Sequence, residues 1–477
     1  MKTCTIFPFC FGLIAFLATG LALFFLLETE KDDNPDPINP IIIDENIYKQ
    51  PFEVDYEISR LNLKYKPIMS DYKILVNQSN PLNLPVTPIL PANNNVGLGY
   101  CDGRYYLSWR TSFTHFASDS TRLHIVSRKN LNFTDTSSQN NWDFEKTIYL
   151  KTDLREPYIL CLNDQVIFSF FMAGDDATSF EPKGLFRIYK ERKSEKVGPE
   201  AWSDREAFGH PGEVVWQYNF ENGTTYSSSY DGAHYGLELG QVRNYFNVTS
   251  LGHSENEMVN YTSKSEQTNK DNIIYTGGIS EIAHAFDLSG NIWAVGRNED
   301  GDSSKWGSRI FKNWVPTANI SDPEIYESPR MFRHSKDIYL VARTDDLGSF
   351  YVERPNWPDS DLGRASHHLL DLGLYSTRPH GTALYRLAID ESIDEDPDNP
   401  KLIRILDLPG CGDTAFPSIL RISQHKYRIV NYSSPWMEID NNRKERRKCE
   451  EWSWVKGQTS DLGTLLYYVD VEFTTDG

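Results

Sequence analysis

Apolar residues in this chain fall into one long continuous run and then into many short ones. Ile6 to Leu27 is apolar apart from Pro8, Gly12, Thr19 and Gly20. A helix that crosses a bilayer needs about 20 such residues, so the run predicts a membrane-spanning signal anchor in preference to a cleaved signal peptide. Beyond it, helix-period patterns are scarce. Short β-type runs recur instead, cut by Gly, Asn, Asp and Pro turns. Strand–turn–strand copies are read at Val96–Arg110, Tyr158–Phe171, Gly223–Tyr230, Ile282–Arg297, Pro329–Arg343 and Ser418–Tyr432.

One such hairpin cannot bury both of its faces, whereas several packed radially can. The copies predict an all-β fold, a six-bladed β-propeller over residues 85–474 that follows an N-terminal transmembrane helix. Leu465–Phe473 is expected as a late strand that helps close the ring. Residues 28–84 read as stem and lead-in, with an acidic, Pro-rich stretch at Pro35, Pro37 and Pro40. His253–Asp271 and Ile389–Pro400 read as polar insertions.

Composition narrows the setting. Asn-x-Ser/Thr sequons at Asn77, Asn132, Asn222, Asn247, Asn260, Asn319 and Asn431 point to the secretory pathway. The expected topology is type II, with the bulk of the chain lumenal or extracellular. Cys101, Cys161, Cys411 and Cys449 lie beyond the apolar run. An oxidising compartment would pair them, and of the three pairings we favour Cys101–Cys161 with Cys411–Cys449. No spacing suggests zinc, and no metal or other cofactor is expected. A net charge of −19 argues against nucleic acid as a partner. Aromatic residues make up 13%, which suits β-packing or sugar stacking.

Candidate chemistry centres on the hairpin Gly277–Asp302, whose turn runs from Asp287 to Asn291. Glu281 opens its first strand and Arg297 ends its second, so folding presents an acid and a base at one rim. Arg110 and Arg343 end strands in two other copies. Three arginines at equivalent points would converge on one mouth and could hold a carboxylate by paired, charge-assisted hydrogen bonds. Asp119, with His115 as its rival in the same loop, is a candidate acid. Asp413 follows Gly412, which allows close ligand approach. Arg155-Glu-Pro157 and Glu327-Ser-Pro329 bear a faint likeness to glycosidases that use three carboxylates on a five-bladed propeller.

These residues resemble the sialidase (neuraminidase) superfamily of six-bladed propellers. The resemblance implies that Glu281 and Arg297 match the Glu and triad Arg of a central blade. It implies Arg110 as the early arginine, Asp119 as the acid/base and Arg343, or alternatively Arg378, as the third arginine. The family's nucleophilic Tyr falls near Gly412–Ser418, where this chain has Phe416. The implied function is a membrane-anchored glycoside hydrolase acting on a glycan or glycoconjugate. The alternative is a propeller that binds glycans or proteins without catalysis.

Overall fold

The structure, a computed structural model, describes residues 64–475 apart from 135–140, 175–182, 209–212, 232–244, 251–272, 299–306, 317–325, 346–365, 390–399, 437–451 and some shorter stretches. The chain divides into two units, Met1–Asn39 and Pro40–Gly477, and everything described belongs to the second. No helix among the described residues is long and apolar enough to cross a membrane. The run Ile6 to Leu27 lies outside the described residues.

The fold is an all-β propeller. Five blades are regular four-stranded antiparallel sheets, each with its strands in chain order. Blade 1 comprises Ala92–Cys101, Arg104–Ser112, Arg122–Arg128 and Asp143–Ile148, and blade 2 comprises Asp153–Leu162, Gln165–Gly174, Gly184–Glu191 and Glu206–Phe208. Blade 3 comprises Glu213–Glu221, Thr224–Asp231, Tyr245–Ser250 and Ile273–Thr276. Blade 4 comprises Ile279–Phe286, Ile292–Asn298, Gly307–Lys312 and Val315–Pro316, and blade 5 comprises Arg330–His334, Asp337–Asp345, His380–Ala388 and Lys401–Leu408.

The remaining sheet departs from the expected set of six like blades. It has five strands and draws on both ends of the described chain. Ser418–Ser423, Lys426–Ser433 and Leu465–Thr475 come from the C-terminal end, and Tyr65–Met69 and Lys73–Val76 both pair with Leu465–Thr475. Residues expected as lead-in thus form its outer edge. Pairing one end of the described chain with the other in one sheet ties the ring shut. Leu465–Thr475 is the late strand expected from the sequence. Gly223–Tyr230 is not a hairpin: it contributes only the second strand of blade 3, whose first strand is Glu213–Glu221.

First strands of blades 1 and 2, of 3 and 4, of 4 and 5, and of the closing sheet and blade 1 lie against one another, which places them around the axis. Gly97 and Gly99 show why the sequence alternates glycine there. A Cβ on Gly97 would stand 2.3 Å from the Pro157 carbonyl oxygen, and one on Gly99 would stand 2.5 Å from Ile159 Cγ2. Only glycine lets these two first strands come so close. The Cys101–Cys161 disulfide joins the same two strands. Cys411 is disulfide-bonded as well, and its expected partner Cys449 lies outside the described residues.

The core lies between neighbouring sheets. One cluster packs Trp109, Phe171, Val214, Tyr432 and Leu466 together, and others fill the spaces between blades 1 and 2, 4 and 5, and 5 and the closing sheet. Strands with both faces covered, such as Arg104–Ser112, are buried almost throughout, whereas Tyr65–Met69 at the outer edge alternates strictly. Among the described residues, helix is confined to short pieces, including Ser453–Thr459 (α1) and a 3₁₀ turn at Pro199–Ala201.

Candidate functional site

The first strands of the blades carry a repeated distortion near their starts. β-Bulges fall at Asn95 in blade 1, at Glu156 and Pro157 in blade 2, at Trp216 in blade 3, and at Glu281 and Ile282 in blade 4. Asn95, Glu156 and Glu281 adopt φ of 46°, 53° and 49°. Ser328, just ahead of blade 5, and Phe416, just ahead of the closing sheet, have φ of 50° and 94°. The left-handed region costs an L-residue about 1–2 kcal/mol, and bulges of this kind re-aim side chains. Repetition of such strain around one axis marks a constructed site.

From these points a continuous polar network crosses the blades. Arg297 Nη1 lies 3.1 Å from Glu281 Oε1 and 3.4 Å from Glu327 Oε1, and its Nε donates to Ser280. Glu281 Oε2 accepts the Ser328 backbone N–H at 2.6 Å. Glu327 pairs with Arg343, which also donates to the Tyr375 hydroxyl at 2.6 Å and to the Thr414 carbonyl at 2.8 Å. The Tyr375 hydroxyl in turn donates to Glu327. Arg343 Nη2 stands 3.9 Å from Asp413 Oδ1. Asp413 continues to His115 Nδ1 at 2.7 Å and accepts from the Tyr432 hydroxyl at 3.0 Å.

Local sequence holds Asp413 and His115 in place. Gly457 in α1 packs directly on Asp413 and Ser434: a Cβ there would lie 2.7 Å from Asp413 Cβ. The next residue, Gln458, reaches His115 Nδ1 at 2.9 Å, and its carbonyl accepts the His115 backbone N–H. Burial pushes the Asp413 carboxyl upwards, but His115 and Arg343 outweigh it, so it sits below the ordinary carboxylate range. Burial lowers His115 in spite of Asp413, which favours the neutral imidazole. Burial and then Asp413 push the Tyr432 phenol well above its usual range, so it stays protonated.

Of the residues expected at the site, Glu281, Arg297, Arg343 and Asp413 join this network. Arg110 does not present itself to a ligand. It is fully buried, with Nε and Nη2 both on Asp153 Oδ1 at 2.9 and 2.7 Å and other donors on the Thr114 and Phe116 carbonyls. Its connection runs through Asp153 to Arg155, which donates to the His115 carbonyl. Asp119 is exposed in a turn, while His115 from the same loop enters the site. Arg378 is taken up by Asp345 at 2.8 Å.

Phe416 has a packing role. Its ring meets Trp216 edge-on at 4.9 Å, and the Arg330 guanidinium lies 4.4 Å over Phe416 and 4.7 Å over Trp216. Arg330 also donates to the Tyr158 hydroxyl at 2.7 Å. Blades 2, 3, 5 and the closing sheet thereby meet in one cation–aromatic plug.

The expected site set left out Tyr375, and it left out Glu156 and Glu327 although the segments that carry them, Arg155–Pro157 and Glu327–Pro329, stand out in the sequence. A further sequence signal exists for one of these positions, and it recurs beside a second and at Phe416. In Glu156-Pro157, Ser328-Pro329 and Phe416-Pro417 the positive-φ residue precedes a proline, which lacks the N–H that a bulge leaves unpaired. Among the described residues, no group of His, Cys, Asp and Glu is arranged to hold a metal ion.

No protein-family model matches the chain. No curated protein sequence matches it. Among solved structures, the chain is similar to a protein of unknown function from Dyadobacter fermentans, at 8% identity and a TM-score of 0.46 over 86% of this chain and 99% of that one. It is also similar to Trypanosoma rangeli sialidase, at 10% identity and a TM-score of 0.43 over 80% of this chain and 55% of that one. This chain therefore spans little more than half of that sialidase's length. A GH43_1 enzyme from Xanthomonas citri is similar at 12% identity and a TM-score of 0.36, over 83% of this chain and 90% of that one.

Proposed function

We propose that the protein is a membrane-anchored, sialidase-like glycoside hydrolase, with the closing sheet serving as the sixth blade of its ring. The observation that carries this assignment is the Tyr375 hydroxyl, which donates to Glu327 while accepting from Arg343. A phenol held between a carboxylate that can take its proton and a guanidinium that stabilises the phenolate is equipped as a nucleophile. Tyr375 then supplies the oxygen that Phe416 lacks. Glu281 and Arg297 frame the same network from the neighbouring blade and would orient a polyhydroxylated or anionic sugar.

Every arginine of the network is already matched by a carboxylate. That favours a second function class, a glycan- or protein-binding propeller without turnover. A panel of fluorogenic sialosides and other glycosides separates the two when run with the purified full chain and with Tyr375→Phe. Hydrolysis by the native chain and its loss in the variant support the hydrolase. Glycan binding without hydrolysis supports the binder. The membrane anchor at Ile6 to Leu27 and the lumenal or extracellular placement belong to the same proposal. Retention in the membrane pellet after alkaline extraction and a glycosidase-sensitive gel shift would support them; a freely soluble, unshifted chain would defeat them.

A further inference from the structure

Glu156 stands apart from the network described above. It occupies the bulge in the first strand of blade 2, in the left-handed region, and is only 6% exposed. One carboxyl oxygen accepts from the Asn95 amide at 3.3 Å, and the other is buried without a hydrogen-bond partner. The charged groups that act on it come from three blades: Arg155 beside it, Arg330 at the start of blade 5, and Glu281 in blade 4. Neither arginine is committed to it. Arg155 bonds Asp153 and His115, and Arg330 lies in the aromatic plug and bonds Tyr158.

A buried carboxyl with an unpartnered oxygen, held in a strained conformation beside the proposed site, has the geometry of a proton donor waiting for an acceptor. Asp119, the acid expected from the sequence, points to solvent. We infer that Glu156 is the general acid of the reaction, delivering its proton to the oxygen of the departing group. Resting on the hydrolase assignment above, the step balances as follows. The Glu156 proton moves to the glycosidic oxygen as the bond from that oxygen to the anomeric carbon breaks. The aglycone leaves as a neutral alcohol, Glu156 becomes a carboxylate, and the anomeric carbon is captured by the Tyr375 oxygen as the phenol proton passes to Glu327. Water then attacks the anomeric carbon, one water proton goes to Glu156, and the bond to Tyr375 breaks as the phenolate takes its proton back from Glu327. Burial, reinforced by Glu281 and opposed by Arg330 and Arg155, lifts the Glu156 carboxyl to about 8. It therefore holds its proton at neutral pH, as a donor must.

The experiment compares the native full chain with Glu156→Gln on glycosides of one sugar, running from dinitrophenyl to simple alkyl leaving groups. Dinitrophenolate departs without protonation and an alkoxide does not. The expected result is a near-native kcat/KM on the dinitrophenyl glycoside, with kcat lowered because the variant also lacks the group that takes the water proton, and a loss of about 10²–10⁴-fold in kcat/KM on alkyl glycosides. The native decline in kcat/KM above pH about 8 should also vanish in the variant. Equal loss across leaving groups, or none, overturns the assignment while leaving the hydrolase intact. Infrared titration of the native chain needs neither a substrate nor a folded variant. A protonated carboxyl band present at pH 7 and lost through pH about 8 supports the inference, and its absence at pH 7 overturns it. A native chain that cleaves no glycoside overturns the hydrolase and the general acid together, even where that band is present.

Discussion

Arg297 closes on Glu281 across a single hairpin, with Nη1 3.1 Å from Oε1, and both side chains are largely buried. An exposed pair of this kind would contribute only about 0–1 kcal/mol. This one also takes in Glu327 from the segment leading into blade 5, so one guanidinium nitrogen serves two carboxylates. The acid–base juxtaposition legible in the hairpin is the start of a network that passes from blade to blade.

Arg297→Ala should therefore cost far more than loss of a surface pair. It leaves Glu281 and Glu327 buried beside each other without their shared cation, an arrangement that costs about 3–5 kcal/mol when a buried pair is broken. Denaturant unfolding of the purified variant would read this as a lower midpoint. Arg297→Lys should recover only part of it, because a point charge cannot serve both carboxylates and Ser280. A change under about 1 kcal/mol for Arg297→Ala would mean that the pair behaves as an exposed one.

Glu156 links pH to stability with a definite sign. Its folded-state value of about 8 lies above the ordinary 4.5 of a glutamate. The contribution is thus fully present below pH 4.5 and is lost as pH rises through about 8. Glu156→Gln, neutral throughout, should lose less thermal stability than the native chain between pH 5 and pH 9. Parallel melting curves across that window would show that Glu156 does not hold its proton in the folded state.

Blade hairpins were legible because their second strands are covered on both faces and read as apolar runs. Blade 3 was misread because the bulge at Trp216 breaks the pattern of Glu213–Glu221. The strands Tyr65–Met69 and Lys73–Val76 were hidden for another reason: Tyr65 pairs with Thr475 at the far end of the chain, and no local pattern records such a partner. The site follows the same rule. Glu281 and Arg297 share a hairpin and were visible together. Glu327 stood out in the sequence through its Ser-Pro neighbour, whereas Tyr375 and the Asp153–Arg110 pair acquire meaning only when blades meet. Arg110 shows the converse, since its position at a strand end suited a ligand contact while Asp153, supplied by the next blade, occupies it.

The loop that was expected to supply an acid supplies a histidine instead. Asp119→Asn, at an exposed turn, should leave both stability and any ligand binding unchanged within about 0.5 kcal/mol. His115→Ala should not, because it leaves Asp413 buried and without its nearest partner. The contrast is read by melting temperature and by glycan affinity in the two variants. A silent His115→Ala together with a damaging Asp119→Asn would reverse the assignment.

Glycan occupancy should discriminate among the sequons by burial. Asn431 is fully buried, and its amide donates to the Thr382 and Tyr467 hydroxyls, so a folded chain cannot carry a sugar there. Asn132 is exposed. Glycopeptide mass spectrometry of chain expressed in a secretory pathway should find Asn132 modified and Asn431 bare. Modification at Asn431 in folded protein would contradict the packing of the closing sheet against blade 5.

Three phenyl or phenol side chains compete for the place of nucleophile, and their surroundings rank them. Phe416 lies in the plug with Trp216 and Arg330, so Phe416→Tyr would place a hydroxyl among aromatic rings and should give no gain in turnover. Tyr432 donates to Asp413, and burial keeps its phenol protonated, so Tyr432→Phe should weaken the hold on Asp413 while leaving residual activity. Of the three, Tyr375 is the one hydrogen-bonded both to a carboxylate that can take its proton and to a guanidinium that stabilises the phenolate. Tyr375→Phe removes one oxygen, preserves the ring contacts with His380 and Trp454, and should keep the fold. Turnover of a cleaved glycoside should then fall by about 10³-fold or more, as expected when a covalent route is removed, while ligand affinity changes little. Trapping with a slow-hydrolysing fluorinated glycosyl donor, followed by peptide mapping, should place the label on Tyr375. A label on Tyr432, or undiminished turnover in Tyr375→Phe, would show that the Glu327–Arg343 pair activates nothing.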